Sequence, residues 1–233
     1  YAGINRGVKA GSFNAPLQGG FSLYEPEELT AYEAGLKHAF MHGSGVFNAN
    51  VFYYDYSDYQ SFSWVNNAGV VTNEEASFSG VELEVFLTPA DSVDVMVNFS
   101  YTDAVVEDLE VASGYFADTT PPFTPEFQAS AMLRYNWDAF NGNMAAQLSA
   151  SYQSETFHNA RNFTAHEIDS YATADTRLTW VDGQDKWSLA AYVDNLFDSD
   201  HELIGFDVTG FYGTSQISYA KPRTYGVTVR RNF

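Results

Sequence analysis

The 233-residue sequence is patterned in twos along most of its length. Val93, Val95, Val97, Phe99 and Tyr101 share one parity, while Asp94, Met96, Asn98, Ser100 and Thr102 share the other. That period puts successive side chains on opposite faces of an extended strand, and no segment competes with the 3.6-residue spacing of an amphipathic helix. The alternation recurs in Val81, Leu83, Val85 and Leu87, in Phe127 to Trp137, in Met144 to Tyr152, and in Trp187, Leu189, Ala191 and Val193. Each strand therefore has one apolar face that something must cover, either a second sheet in a soluble sandwich or the lipid around a membrane barrel.

About ten such strands are expected, near residues 1–10, 29–41, 45–64, 76–89, 92–107, 126–138, 143–157, 168–181, 186–198 and 220–233. Their connections alternate strictly in length. His42-Gly43-Ser44, Pro89-Ala90-Asp91, Phe140-Asn141-Gly142 and Asp182-Gly183-Gln184-Asp185 read as tight turns, built from residues that tolerate turn dihedrals. Between them lie longer connections near 11–28, 65–75, 108–125, 158–167 and 199–219. A sandwich has no reason to gather every long loop at one end, whereas an outer-membrane barrel pairs short periplasmic turns with long extracellular loops. Trp137, Trp180 and Trp187 lie on the apolar parity beside the short turns, as do Phe40 and Phe47, where a membrane barrel carries an aromatic girdle.

Composition agrees with that reading and excludes others. The longest apolar run, Leu189 to Val193, is about five residues, far below a spanning helix, yet barrel strands never build such a run. A net charge of −19 repels phosphate backbones, so nucleic acid is not an expected partner. The absence of cysteine removes disulfides and zinc-thiolate sites. No metal site, cofactor fingerprint, P-loop, G-x-S-x-G or H-E-x-x-H motif is present, so no enzyme chemistry is assigned. The chain opens at Tyr1 without a visible targeting signal, and the expectation is that it starts inside a larger protein.

Several runs carry a family resemblance. They are Gly7-Val8-Lys9-Ala10-Gly11-Ser12-Phe13-Asn14, Tyr24-Glu25-Pro26-Glu27, Thr30-Ala31-Tyr32-Glu33-Ala34-Gly35-Leu36-Lys37, Phe52 to Gln60, Gly80-Val81-Glu82-Leu83-Glu84 and Asp194-Asn195-Leu196-Phe197-Asp198. In this order they resemble the C-terminal half of a TonB-dependent outer-membrane receptor over nearly the whole chain. The last residues look like the signal read by the barrel-assembly machinery, with Tyr225, Val227, Val229 and a terminal Phe233 in alternation. Arg231 departs from that signal, where an aromatic residue is usual, although a rim arginine can snorkel to headgroups.

The resemblance implies an all-β, antiparallel transmembrane barrel of about 22 strands around a plug. Residues 1–233 would supply the last ten or so, with the plug, the TonB box and roughly the first twelve strands absent. It further implies residence in the outer membrane of a Gram-negative bacterium, contact with outer-membrane lipid, and energy from TonB. The implied cargo is a scarce ligand, foremost a ferric siderophore, with vitamin B12, glycans and other metals also open. Ligand contacts would come from Tyr115, Phe116, His158, Arg161, Phe163, His166, His201, Phe206, Phe211 and Tyr212 in the long loops, where aromatic rings and a cation suit a chelate. Glu33, Lys37, Glu82, Glu84, Asp94, Arg134, Asp175, Arg177 and Asp194 share the inward parity and would face the lumen and plug.

Two other readings compete. A self-contained ten-strand barrel resembling the omptin proteases would draw an acid–base pair from Asp198-Ser199-Asp200-His201-Glu202, a run that also has the oxygen ligands for calcium. A soluble ligand-binding β-sandwich would bury the apolar faces in a dry core.

Overall fold

The computed structural model describes residues 1–14, 22–65, 68–207 and 212–232. Its strands in chain order are β1 (Ala2–Lys9), β2 (Ser12–Asn14), β3 (Ser22–Tyr24), β4 (Glu27–Phe40), β5 (Gly45–Val65), β6 (Ala68–Ala90), β7 (Val93–Ala112) and β8 (Tyr115–Thr119). They continue with β9 (Phe127–Ala139), β10 (Gly142–Gln153), β11 (Thr156–Phe157), β12 (Glu167–Ile168), β13 (Tyr171–Asp182), β14 (Trp187–Asp194), β15 (Glu202–Asp207), β16 (Ser215–Tyr219) and β17 (Thr224–Arg231). Ten of them pair antiparallel in one sheet, β1-β4-β5-β6-β7-β9-β10-β13-β14-β17, and β8 adds to the end of β7. Each remaining sheet is a two-stranded hairpin within one long connection.

All ten expected strands are present, and among the described residues no second layer covers the apolar face of the sheet. Ile4, Val8, Leu36, Val51, Leu133, Leu148, Val227 and Val229 all remain exposed on that face. This overturns the sandwich, whose apolar faces would be buried against each other.

The short turns are tight because of what the chain places there. Phe140 and Asn141 both have positive φ, the pairing that lets a two-residue hairpin match the twist of its strands. The next residue has to be glycine, since a Cβ on Gly142 would lie 2.1 Å from the Val181 carbonyl oxygen. At the last short turn, the Asp182 carboxylate accepts the Gln184 and Lys186 backbone N–H groups at 3.3 and 2.7 Å.

Two aromatic rows bound the apolar face. Trp137 and Trp180 flank Met144 in register at the short-turn rim, with Trp187 beside them. At the other limit stand Tyr32, Tyr53, Tyr101, Phe127, Tyr152 and Tyr225, of which Tyr32–Tyr53 and Tyr101–Phe127 are direct register partners. Their ring centroids lie 6.3 and 5.0 Å apart. Trp137 to Phe127 is ten residues, and at ~3.4 Å per residue with a tilt near 40° this gives a band about 25 Å tall, the height of an outer-membrane apolar belt. Beyond the upper row the same parity turns acidic, with Glu28, Asp55 and Asp103.

The long connections differ from expectation in one respect. Residues 65–75, expected as a loop, belong largely to strands: β5 and β6 pair in register from Gly45↔Leu87 to Val65↔Ala68, shifting once between Tyr56 and Tyr59. Above the band both faces of this hairpin meet water or other loops, so the alternation that marks a strand in lipid is not required there. Likewise, residues 11–28, 108–125 and 199–219 contain the β2–β3 pair, β8 and the β15–β16 pair respectively.

Candidate functional site

Above the upper aromatic row, the extended β5–β6 and β7–β8 hairpins enclose a small core of their own. Ala76, Val106, Leu109 and Val111 are buried there with Ala160, which arrives from the 154–170 connection. Tyr56 and Tyr59 pack against this cluster, and Tyr56 meets Phe78 edge-on at 5.0 Å. The edge-to-face geometry sets a positive ring edge against a negative ring face.

Amide side chains then tie the connections together by replacing a backbone partner. Asn14 accepts from the Val71 N–H and donates to the Val71 carbonyl, both at 2.8 Å, which pins β2 to β6. Asn162 does the same to Thr120 at 2.6 and 2.9 Å, joining residues 42 positions apart. Phe123 N–H also donates to the Phe157 carbonyl at 2.8 Å. The long-loop rim is thus a built shelf, not a set of separate loops.

Burial at this shelf shifts two acids. The Tyr59 hydroxyl is pushed up by burial and by the nearby Glu27 carboxylate. The Glu74 carboxyl, register partner of Tyr59, is raised by burial and by Asp108, against an opposing hydrogen bond from Thr72. A raised carboxyl favours the folded hairpin while protonated and opposes it once ionised, so hairpin stability falls as the pH rises through that value. Glu74→Gln is therefore expected to slow amide exchange across β5 and β6 at neutral pH, with wild type and variant converging in acid. A pH-independent difference would contradict it.

The sequence-derived ligand residues divide into groups. His158, Phe163 and His166 come together, with the His166 ring 5.0 Å from His158 and 5.7 Å from Phe163. His166 is buried at 2% exposure, and Arg161 is half-buried in the same connection. The His158 ring also lies against Gly205, beside Phe206, where a Cβ would meet the imidazole at 2.0 Å. The 154–170 connection and the β15–β16 hairpin therefore share one seam.

His201 stacks on Tyr171 at 3.9 Å and 13°, and the Tyr171 hydroxyl donates to Gln153 at 3.0 Å. Tyr115 and Phe116 sit at the tip of the β7–β8 hairpin, highly exposed, and make no ring contact with this group among the described residues. Tyr212 is exposed on the β15–β16 turn, while Phe211 and Phe233 lie outside the described residues. Asp198 accepts the Arg223 N–H at 2.8 Å, so the acid and the histidine of the 198–202 run serve different packing contacts.

Tyr171 is the residue that sequence reasoning missed. It heads β13 on the polar parity, opposite Gln153, and lines a 380 Å³ cavity with Glu82, Glu84, Ser100 and Gln128. Its period-two position within the strand was the available signal.

A family model described as TonB dependent receptor-like, beta-barrel, matches residues 1–196. The chain belongs to this family. Among solved structures, the ferric yersiniabactin uptake receptor FyuA from Yersinia pestis superposes with a TM-score of 0.81 at 22% identity, covering 99% of this chain and 34% of that one. The ferric preacinetobactin receptor BauA from Acinetobacter baumannii gives 0.73 at 20% identity, over 98% and 33%. The ferric-catecholate import receptor Fiu from E. coli K12 gives 0.70 at 18%, over 99% and 32%. The receptor barrel described here thus spans about a third of the length of these proteins, and at such identities they share its fold. The polar face of the sheet is the lumen wall, and the apolar band is the surface that meets lipid.

Proposed function

We propose that this chain is the C-terminal part of the barrel of an outer-membrane receptor that imports a ferric siderophore with energy from TonB. The observation that carries this reading is the family match over residues 1–196, on a barrel whose long-loop rim gathers His158, Phe163 and His166 beside Phe206. The exposed Phe163 ring and the half-buried His158 imidazole offer faces on which a chelate stacks, buried His166 backs them, and Arg161 in the same connection supplies a positive charge. Tyr115, Phe116, His201, Phe211 and Tyr212 contribute from the neighbouring connections. TonB acts through a region outside this chain, and the barrel-assembly machinery reads Tyr225, Val227, Val229 and Phe233. Three of these, Tyr225, Val227 and Val229, alternate on the exposed edge strand β17. No reaction is catalysed.

The test is radio-iron uptake from a panel of ferric siderophores by cells with and without the full-length gene. Loss of uptake of at least one chelate on deletion, with the same loss on adding a protonophore to wild type, is the expected result. Equal uptake by both strains across the panel overturns the reading.

A further inference from the structure

The short-turn rim holds two side chains that its turn chemistry does not call for. Among the described residues eleven non-glycine positions have positive φ, and eight of them are Asp, Asn or His, the types that tolerate the left-handed region. The other three are Met41, Phe123 and Phe140. Phe123 belongs to the loop shelf, where its N–H donates to the Phe157 carbonyl. Met41 and Phe140 instead open two of the short turns, β4–β5 and β9–β10, with φ of 51° and 53°. A bulky side chain is strained there, and Asn or Gly would close either turn without that cost.

Packing against the protein does not offset the strain. Phe140 is 82% exposed, the highest value for any large apolar side chain described, and Met41 is 48% exposed. Nor are the turns slack. The Ser44 N–H donates to the Met41 carbonyl at 3.2 Å, and the Gly183 N–H ties the Asn141 carbonyl to the β13–β14 turn at 2.9 Å. Between the β9–β10 and β13–β14 turns lies a polar concavity of 720 Å³ lined by Asp138, Asn141, Asn143, Asp182 and Asp185, and the Phe140 ring is not part of its lining. The β9–β10 tip therefore keeps its wet side and its apolar side apart.

Its height says what meets the apolar side. Phe140 lies three residues beyond Trp137 of the tryptophan row, and Met41 one residue beyond Phe40. Three residues at ~3.4 Å each, with a tilt near 40°, descend about 8 Å, close to the depth of one phospholipid headgroup layer. The apolar band ends at the tryptophan row, so the two tips continue an existing lipid contact and do not reach into bulk water.

Resting on the outer-membrane reading, we infer that Met41 and Phe140 dip into the headgroup layer of the periplasmic leaflet and fix the depth at which the barrel sits. The tryptophan row is chosen by strand parity. These two residues stand in turns, where water selects Asn and Gly and a phospholipid interface selects an apolar side chain.

The test places a nitroxide at Met41→Cys, Phe140→Cys, Gln184→Cys or Leu148→Cys, each as the sole cysteine of the full-length receptor in phosphatidylethanolamine–phosphatidylglycerol vesicles. Collision with dissolved oxygen and with a water-soluble nickel chelate is read for each label. Labels at 41 and 140 are expected to meet nickel at least about three-fold less often than the label at Gln184, an exposed residue of the polar β13–β14 turn, and to meet oxygen more often. Nickel access at 41 and 140 equal to that at Gln184 overturns the inference. A label at 140 that is wet in vesicles and shielded only in isolated cell envelopes also overturns it, and would make the tip a contact for a periplasmic protein. A wet label at Leu148, in the middle of the band, would instead sink the outer-membrane reading on which the inference rests.

Discussion

Leu148→Arg is expected to destabilise the membrane-embedded barrel by about 2–4 kcal/mol, whereas Ser149→Arg, one residue along the same strand, costs under about 1 kcal/mol. Leu148 sits on β10 midway between Met144, level with Trp137 and Trp180, and Tyr152 of the upper row, and its side chain is 46% exposed with no protein layer over it. An arginine there meets hydrocarbon at the centre of the band, where a charge has to be dragged to the headgroups or neutralised. Ser149 has the opposite parity, opposes Met132 and Asp175, and lines an open concavity of 250 Å³ on the lumen wall. An arginine at that position keeps its water and gains a carboxylate neighbour. Equilibrium denaturant titration of the full-length receptor in phospholipid vesicles measures both costs. Equal penalties, or a larger one for Ser149→Arg, would show that the Leu148 face does not meet lipid.

Leu109→Ala should cost about 2–5 kcal/mol of local stability at the long-loop rim, the range for emptying a buried leucine site. Leu109 is 2% exposed and touches the cluster that joins β6 and β7 to Ala160. The cavity removes packing from three connections at once, so the effect reaches beyond its own strand. Hydrogen exchange is expected to accelerate in residues 115–124 and 156–168 while the strands between the two aromatic rows stay protected. Leu203→Ala provides the control, because Leu203 is half exposed on the β15–β16 hairpin and its loss should stay within about 0.5 kcal/mol. Acceleration limited to β7, or as large for Leu203→Ala, would mean that the shelf is not one packed unit.

The barrel strands were legible because lipid imposes a local rule. From Val93 to Tyr101 of β7 every residue but Met96 declares its face by its own polarity, and one misplaced parity would put a whole strand's apolar set in the lumen. The short turns were legible for a similar reason, since Phe140-Asn141-Gly142 and Asp182-Gly183 are chosen by backbone dihedrals within a few residues. The same rule fell silent above the band. Val70 and Val71 stand side by side in β6 because both faces of that hairpin are outside the lipid, and the connection looked irregular although Ala68 to Glu74 pair with β5 without a break.

The candidate site was legible as residue types but not as an arrangement. Aromatic and imidazole groups in residues 158–166 and 201–212 marked those connections, yet only folding puts His158 beside Gly205 and His201 on Tyr171. The lumen arginines show the same limit. Parity alone placed Arg134 and Arg177 inside, whereas their shared partner Gln147 depends on strand register.

The period of two and the alternation of short and long connections determined the ten strands and their turns from sequence alone, and the tryptophans at one rim favoured a membrane barrel over a sandwich. They suffice because each is a contest between a side chain and its immediate solvent. The tertiary structure decided the packed shelf of loops and the seam holding His158, Phe163 and His166. Those contacts join residues tens of positions apart, through Asn14, Asn162 and strand register, and a local pattern holds no information about which distant backbone a side chain will meet.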